Sequence, residues 1–274
     1  MIPIARFAAC LLCIILIPGV PAAQNALLPQ ADPPVTTPDA ERAAAAPTTR
    51  PAARRVADAD RESVANEPTR LDRELTPMLQ LIQQRQYGPA RVRLRKYRIL
   101  HPDSGEAAFL FGLTHHKEQN YEKALPFYQE AIRLAPHYQQ TYYFLGWDLY
   151  YLGDLERASL AFEVFETFQP NEPDTQFALG LIASERDDLK NAEARFLRSI
   201  ELLQDQPDML RERAKAHARL GDIYVRQERL EEARTELSQA VVMWPDHYEA
   251  HFKLYRVLTM LGDDDAAEVA LRQY

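Results

Sequence analysis

The chain has 274 residues, a formal net charge of −8 and only two cysteines. That length allows one large domain or two small ones. Cys10 and Cys13 both fall in the first apolar run, so the rest of the chain is excluded from disulfide, thiolate-metal and cysteine-nucleophile chemistry.

The first residues read MIPIARFAACLLCIILIPGVPAAQ. Arg6 precedes an unbroken apolar run from residue 7 to 17, Pro18 and Gly19 end it, and small residues follow at Val20 and Ala22. This anatomy predicts a signal peptide over residues 1–22, cut after Ala22 or Ala23, and hence an exported, periplasmic or extracellular protein. A helix of that run reaches only ~17 Å, short for a bilayer core, so a retained anchor is the lesser alternative. Both cysteines come too early for lipidation after the run.

Residues 23–70 contain seven prolines and no aromatic residue. Their few large apolar residues cannot offset the ~1–2 kcal/mol per residue that ordering a backbone costs, so a disordered Ala/Pro-rich tether is expected.

From residue 71 the chain repeats. Gly112, Gly146 and Gly180 stand 34 residues apart, as do Ala124, Ala158 and Ala192, and Pro102, Pro136 and Pro170. Numbering each unit from its first residue, bulky or small residues at positions 4, 7, 8 and 11 form one helical stripe. Positions 20, 24 and 27 form the stripe of a second helix that faces it. A proline at position 32 ends the second helix. Gly153 and Gly262, at position 15, suit a tight turn between the two. The pattern predicts units at 71–104, 105–138, 139–172, 173–206, 214–247 and 248–274. In the first, Pro77 and Met78 replace the usual pair at positions 7 and 8. A shortened first helix is expected there, with Thr76 as its N-cap and Pro77 as its first residue. Gly180 and Gly221 are 41 residues apart. The extra seven are about two helical turns, and Pro207 followed by helix formers predicts an elongated first helix in the fifth unit.

These residues resemble the tetratricopeptide-repeat family. Leu145-Gly146, Leu179-Gly180 and Leu220-Gly221 fill positions 7 and 8. Tyr128, Phe162, Phe196 and Leu237 fill position 24. The resemblance covers residues 71–274 and implies an all-α solenoid, a right-handed superhelix of helix-turn-helix units. It also implies that positions 5, 9, 12 and 13 line a concave, peptide-binding groove. Those positions bring together Phe109 and Leu113, then Tyr143, Trp147, Tyr150 and Tyr151, then Phe177 and Leu181. They are apolar and aromatic, not the Lys and Asn that the family uses to clamp a C-terminal carboxylate. An apolar helix or an extended peptide is the expected ligand.

Chemistry is not encoded in any motif. No G-x-S-x-G turn, phosphate loop or dinucleotide fingerprint occurs. His115 and His116 point about 100° apart on a helix. His247 and His251 have ligand spacing without the metalloprotease glutamate, and His251 and His217 fill core position 4. No enzyme activity, cofactor, metal or nucleic-acid partner is expected. Residues 71–104 hold seven Lys and Arg against three Asp and Glu, a net +4, in an otherwise acidic chain. The basic run from Arg91 to Arg98 is read as a solvated outer face, and it is where contact with a membrane would occur. The expected function is a non-enzymatic interaction scaffold or adaptor in a cell envelope. A structural spacer or self-associating repeat protein is the alternative, and the oligomeric state stays open.

Overall fold

In a computed structural model of the protein, residues 26–27 and 72–274 are described. The expected signal peptide, and all of the expected tether except Ala26 and Leu27, lie outside these residues. Among the described residues there are twelve α-helices and no strand. They are α1 (Thr76–Gln83), α2 (Tyr87–Leu100), α3 (Gly105–Lys117), α4 (Tyr121–Leu134), α5 (Gln140–Tyr151) and α6 (Leu155–Phe168). They continue as α7 (Pro173–Glu185), α8 (Leu189–Leu203), α9 (Leu210–Arg226), α10 (Leu230–Met243), α11 (Tyr248–Leu261) and α12 (Asp264–Gln273). Each odd helix packs on the even helix after it, and each pair packs on the next pair, so the chain is an all-α solenoid.

Glycine at position 8 is what lets the four inner pairs close. A Cβ added to Gly112 would lie 2.7 Å from the Tyr128 ring, one on Gly146 2.9 Å from Phe162, one on Gly180 2.7 Å from Phe196, and one on Gly221 2.7 Å from Leu237. Position 24 therefore presses its side chain on a backbone with no side chain. Those four partners are fully buried, at 0% exposure.

The turns follow one rule. Position 15 adopts the left-handed conformation in all six units: Arg85, Gln119, Gly153, Asp187, Glu228 and Gly262, with φ between 60° and 79°. The next N–H then reaches back to the first helix, as Asp154 N does to Leu149 O at 2.9 Å and Asn120 N to His115 O at 2.9 Å. This satisfies carbonyls that the helix end would leave bare. The sequence signal was glycine, present in only two of the six. Asp154, Asp188 and Asp263, at position 16, then cap the second helices, accepting from the N–H three residues on at 3.1–3.2 Å.

The first unit is shortened as expected, but its cap is different. α1 has eight residues, Thr76 is already helical, and no side chain caps it. The capping sits one short 3₁₀ turn earlier. There Asp72 accepts from Glu74 N at 3.0 Å and from the Tyr97 hydroxyl at 2.7 Å. Those bonds hold the Asp72 carboxyl below its ordinary pKa, while burial and Asp72 push Tyr97 up to about 12. In the fifth unit the extra residues form a 3₁₀ turn over Pro207–Met209 and a 17-residue α9, an elongation rather than a loop. Arg91 and Arg98 of the basic run are taken up by the neighbouring unit, pairing with Glu118 at 2.8 Å and Glu130 at 2.5 Å. Arg93, Arg95 and Lys96 are exposed.

Two outcomes follow for stability. Gly180→Ala gains up to ~1 kcal/mol of helix propensity but overpacks the Phe196 ring at a cost of ~1–3 kcal/mol. Urea unfolding of this variant should show a net loss of roughly 1–2 kcal/mol. Gln119→Gly relieves a left-handed side chain and should stabilise by about 0.5–1 kcal/mol in the same measurement.

Candidate peptide-binding groove

α5 is aromatic at positions 4, 5, 6, 9, 12 and 13, and each ring has a different employment. Tyr142 is core: its side chain is 0% exposed and its hydroxyl donates to Pro136 O at 2.9 Å. Tyr143 lies across Phe165, ring centroids 5.3 Å apart, and its hydroxyl donates to Asp174 at the start of α7. Burial raises the Asp174 carboxyl, while the Tyr143 hydroxyl and Trp147 indole, as hydrogen-bond donors, pull it back down. Phe144 is wedged between Phe109 at 5.7 Å and His116 at 5.0 Å, with Lys117 Nζ 5.4 Å from its centroid.

Trp147, Tyr150 and Tyr151 form the outer part. Trp147 sets its ring edge-on to Phe162 at 5.4 Å and stacks with Tyr151 at 5.8 Å. Tyr151 stacks in turn on Tyr121, 4.8 Å away, and stays 53% exposed. Trp147 and Tyr150 are half-buried.

Phe109 and Leu113 do not share this surface. Each is 3% exposed, and Phe109 is covered by Tyr138 at 5.0 Å and by Phe144. Their positions are right for the groove, but Tyr138 at the end of the same unit and Phe144 of the next close over Phe109, and Leu113 is buried with it. They support its floor. Beneath it lies a buried polar pair, His116 Nδ1 and Asp148 Oδ1 at 2.5 Å, with Asp148 fully buried. Burial raises the Asp148 carboxyl above its ordinary pKa, against the pull of His116.

Phe177 and Leu181 are half-buried and open into a cavity of about 310 Å³. Its other walls are Lys215, Ala218 and Arg219 of α9, Trp244 and His247 of the connection between α10 and α11, and Tyr248, Glu249 and Lys253 of α11. Lys253 Nζ is held by Asp222 at 2.7 Å and Glu249 at 2.6 Å. Arg219 stands farther from the same carboxylates, at 3.8 and 4.0 Å. Lys215 makes no ion pair among the described residues and lies 5.9 Å from the Trp244 centroid, with the Arg211 guanidinium at 5.4 Å. Burial pushes His247 below its ordinary pKa, and its ring lies against Trp244 at 4.5 Å. Burial raises the Tyr150 hydroxyl above its ordinary pKa, and the charges of Glu185 and Arg219 act on it from a distance; none of the α5 rings lines the cavity itself.

The cationic wall was missed from sequence because it uses positions 2 and 6 rather than 5, 9, 12 and 13. A signal existed: Arg219 and Lys253 are both at position 6, 34 residues apart. The histidines do other work. His251 Nε2 donates to Pro245 O at 2.8 Å, His217 Nδ1 meets Glu236 at 2.6 Å, and His115 stacks on Phe127 at 5.6 Å. Among the described residues, no three His, Cys, Asp or Glu side chains converge as a metal site would require. No helix among the described residues is long and apolar enough to cross a membrane.

Comparison with known proteins bears on the same features. The family Tetratricopeptide repeat matches residues 218–274 and, in a second form, residues 105–138. A search of the curated proteins gave no significant match. Among solved structures, the chain is similar to pilF of Pseudomonas aeruginosa, with a TM-score of 0.62 at 18% identity over 77% of this chain and 90% of that one. It is similar to YrrB, described as a TPR protein with an unusual peptide-binding site, with a TM-score of 0.54 at 19% identity over 66% and 89%. It is also similar to a chain of the APC/C hetero-tetramer Cut9-Hcn1, with a TM-score of 0.59 at 20% identity. There it covers 73% of itself but only 38% of the other chain. At these identities the likeness is one of fold. The repeat spacing, the glycine-on-ring contacts, the left-handed corners and the two sequence matches agree: the described residues form a tetratricopeptide-repeat solenoid.

Proposed function

We propose that the protein is a non-enzymatic scaffold whose concave groove holds an extended or helical peptide segment of a partner protein, in the setting of a cell envelope. The observation that carries this reading is the surface stripe of Trp147, Tyr150 and Tyr151 on α5, with a cavity opening at Phe177 and Leu181 of the next unit. Tyrosine and tryptophan offer area with a polar edge, suited to a surface that is wet when empty and dry when filled. The cavity adds a second requirement. Its apolar rings and the cations Lys215 and Arg219 together suit an apolar residue followed by an acidic one. The ligand is thus an apolar segment with an acidic neighbour, rather than the purely apolar one that the stripe alone suggests. Export rests on the N-terminal signal anatomy, and it restricts partners to envelope or secreted proteins.

The fold of the described residues favours this reading over a spacer, since a spacer has no use for a half-exposed aromatic stripe. The two tryptophans, Trp147 and Trp244, stand one at each part of the groove. Peptides selected from a displayed library should therefore shift the emission of both.

The predicted outcome is that Trp147→Ala with Tyr151→Ala leaves the circular dichroism spectrum unchanged and weakens selected peptides by tenfold or more. Lys215→Glu with Arg219→Glu should weaken only those peptides that carry an acidic residue. Undiminished binding by both double variants would overturn the groove as the site.

A further inference from the structure

The outer edge of the solenoid holds a second, different feature. Position 28 of one unit faces positions 23 and 26 of the next. Between the first and second units these positions carry Arg98 with Glu130 at 2.5 Å, and the Arg98 guanidinium 5.9 Å from Phe127. Between the third and fourth they carry Glu166 with Arg195 at 2.6 Å. Both seams are charged. Between the second and third units the same positions are Ile132, Ala161 and Val164, and all are buried, at 2%, 0% and 1% exposure. An apolar pair replaces the ion pair, on a face where the two neighbouring seams are polar.

Leu27 bears on this seam. It is 1% exposed and belongs to the same buried cluster as Ile132, Ala161 and Val164. Its carbonyl accepts from Gln129 Nε2 at 3.4 Å, a contact across 102 residues of chain. Gln129 stands three residues before Ile132 on α4, at the mouth of the same seam. Ala26 beside Leu27 is exposed, so one side chain enters and its neighbour does not. A backbone carbonyl fixed by a side-chain amide, with one leucine buried next to it, is how a groove holds a short segment of chain.

We propose that the Ile132–Val164 seam is an intramolecular docking site and that Leu27 of the same chain is its plug, which fastens the N-terminal part of the protein to the outer face of the second and third units. The site is distinct from the concave groove and takes an aliphatic residue instead of an aromatic or acidic one. It also changes the reading of residues 23–70 as a free tether: at Leu27 the chain is attached.

The test uses the full chain with Cys10→Ser and Cys13→Ser and one new thiol, Val164→Cys. With the plug in place the thiol reacts slowly with a maleimide. Adding Leu27→Ser should raise the labelling rate at least tenfold at unchanged melting temperature. Leu27→Met should keep it slow, and Ala26→Ser should have no effect. Should Val164→Cys fail to fold, Ile132→Cys reads the same seam. A labelling rate within twofold for Leu27→Ser and its parent overturns the proposal. So does protection that disappears on dilution, which assigns the plug to a second copy.

Discussion

The structure depends on one contact made again in the four inner units, a large side chain at position 24 pressed on a glycine at position 8. Rings of Tyr128, Phe162 and Phe196 lie closer to the opposing backbone than any Cβ would allow. That closeness sets the distance between the two helices of a unit, and so the angle at which the next pair must pack. A solenoid repeats whatever its unit does. Small errors in this distance would accumulate along the array, which is reason enough for the residue to be the smallest one available.

With the helix pairs fixed, the positions not used for packing become surface, and their chemistry is free to differ from unit to unit. Unit two spends its groove positions on support: Phe109 is closed over by Tyr138 and Phe144, and Leu113 is buried. Unit three leaves Trp147, Tyr150 and Tyr151 at the surface. Units four to six combine apolar residues of α7 with cations of α9 and α11 around a cavity. One backbone plan thus gives a floor, a stripe and a pocket in succession. The Tyr143–Asp174 bond links the stripe to the unit that begins the pocket.

Much of the fold was legible because the repeat is written in residues whose sizes have a single use. A glycine 34 residues from another glycine, or a proline from a proline, has little freedom to mean anything else. The elongated α9 could be read because Pro207 is followed by an unbroken run of helix formers. What could not be read was anything decided by a neighbouring unit. Phe109 looks like groove until Phe144 of the next unit is seen to cover it. Lys215 and Lys253 look like solvated charge until the Trp244 connection folds against them. The left-handed corners at Arg85, Gln119, Asp187 and Glu228 carry no glycine, since closure of the helix pair enforces the conformation regardless of residue. Thr76 had the residue type of a cap but not the place, because Asp72 had already taken that task one turn upstream.

The corners are unequal, and this has a mechanical meaning. Four of them hold a side chain in a narrow left-handed well, and such a hinge is stiff. Gly153 and Gly262 sit in a broad one, where φ and ψ can change at little cost. Under an applied load, compliance gathers at those two joints. The aromatic stripe of α5 lies before the first of them, and every helix that walls the cavity lies between the two. At the first of these joints the turn is permissive, but Gly146 on Phe162 and the Tyr143–Asp174 bond span it, so packing and not the turn holds the stripe in register with the units that follow.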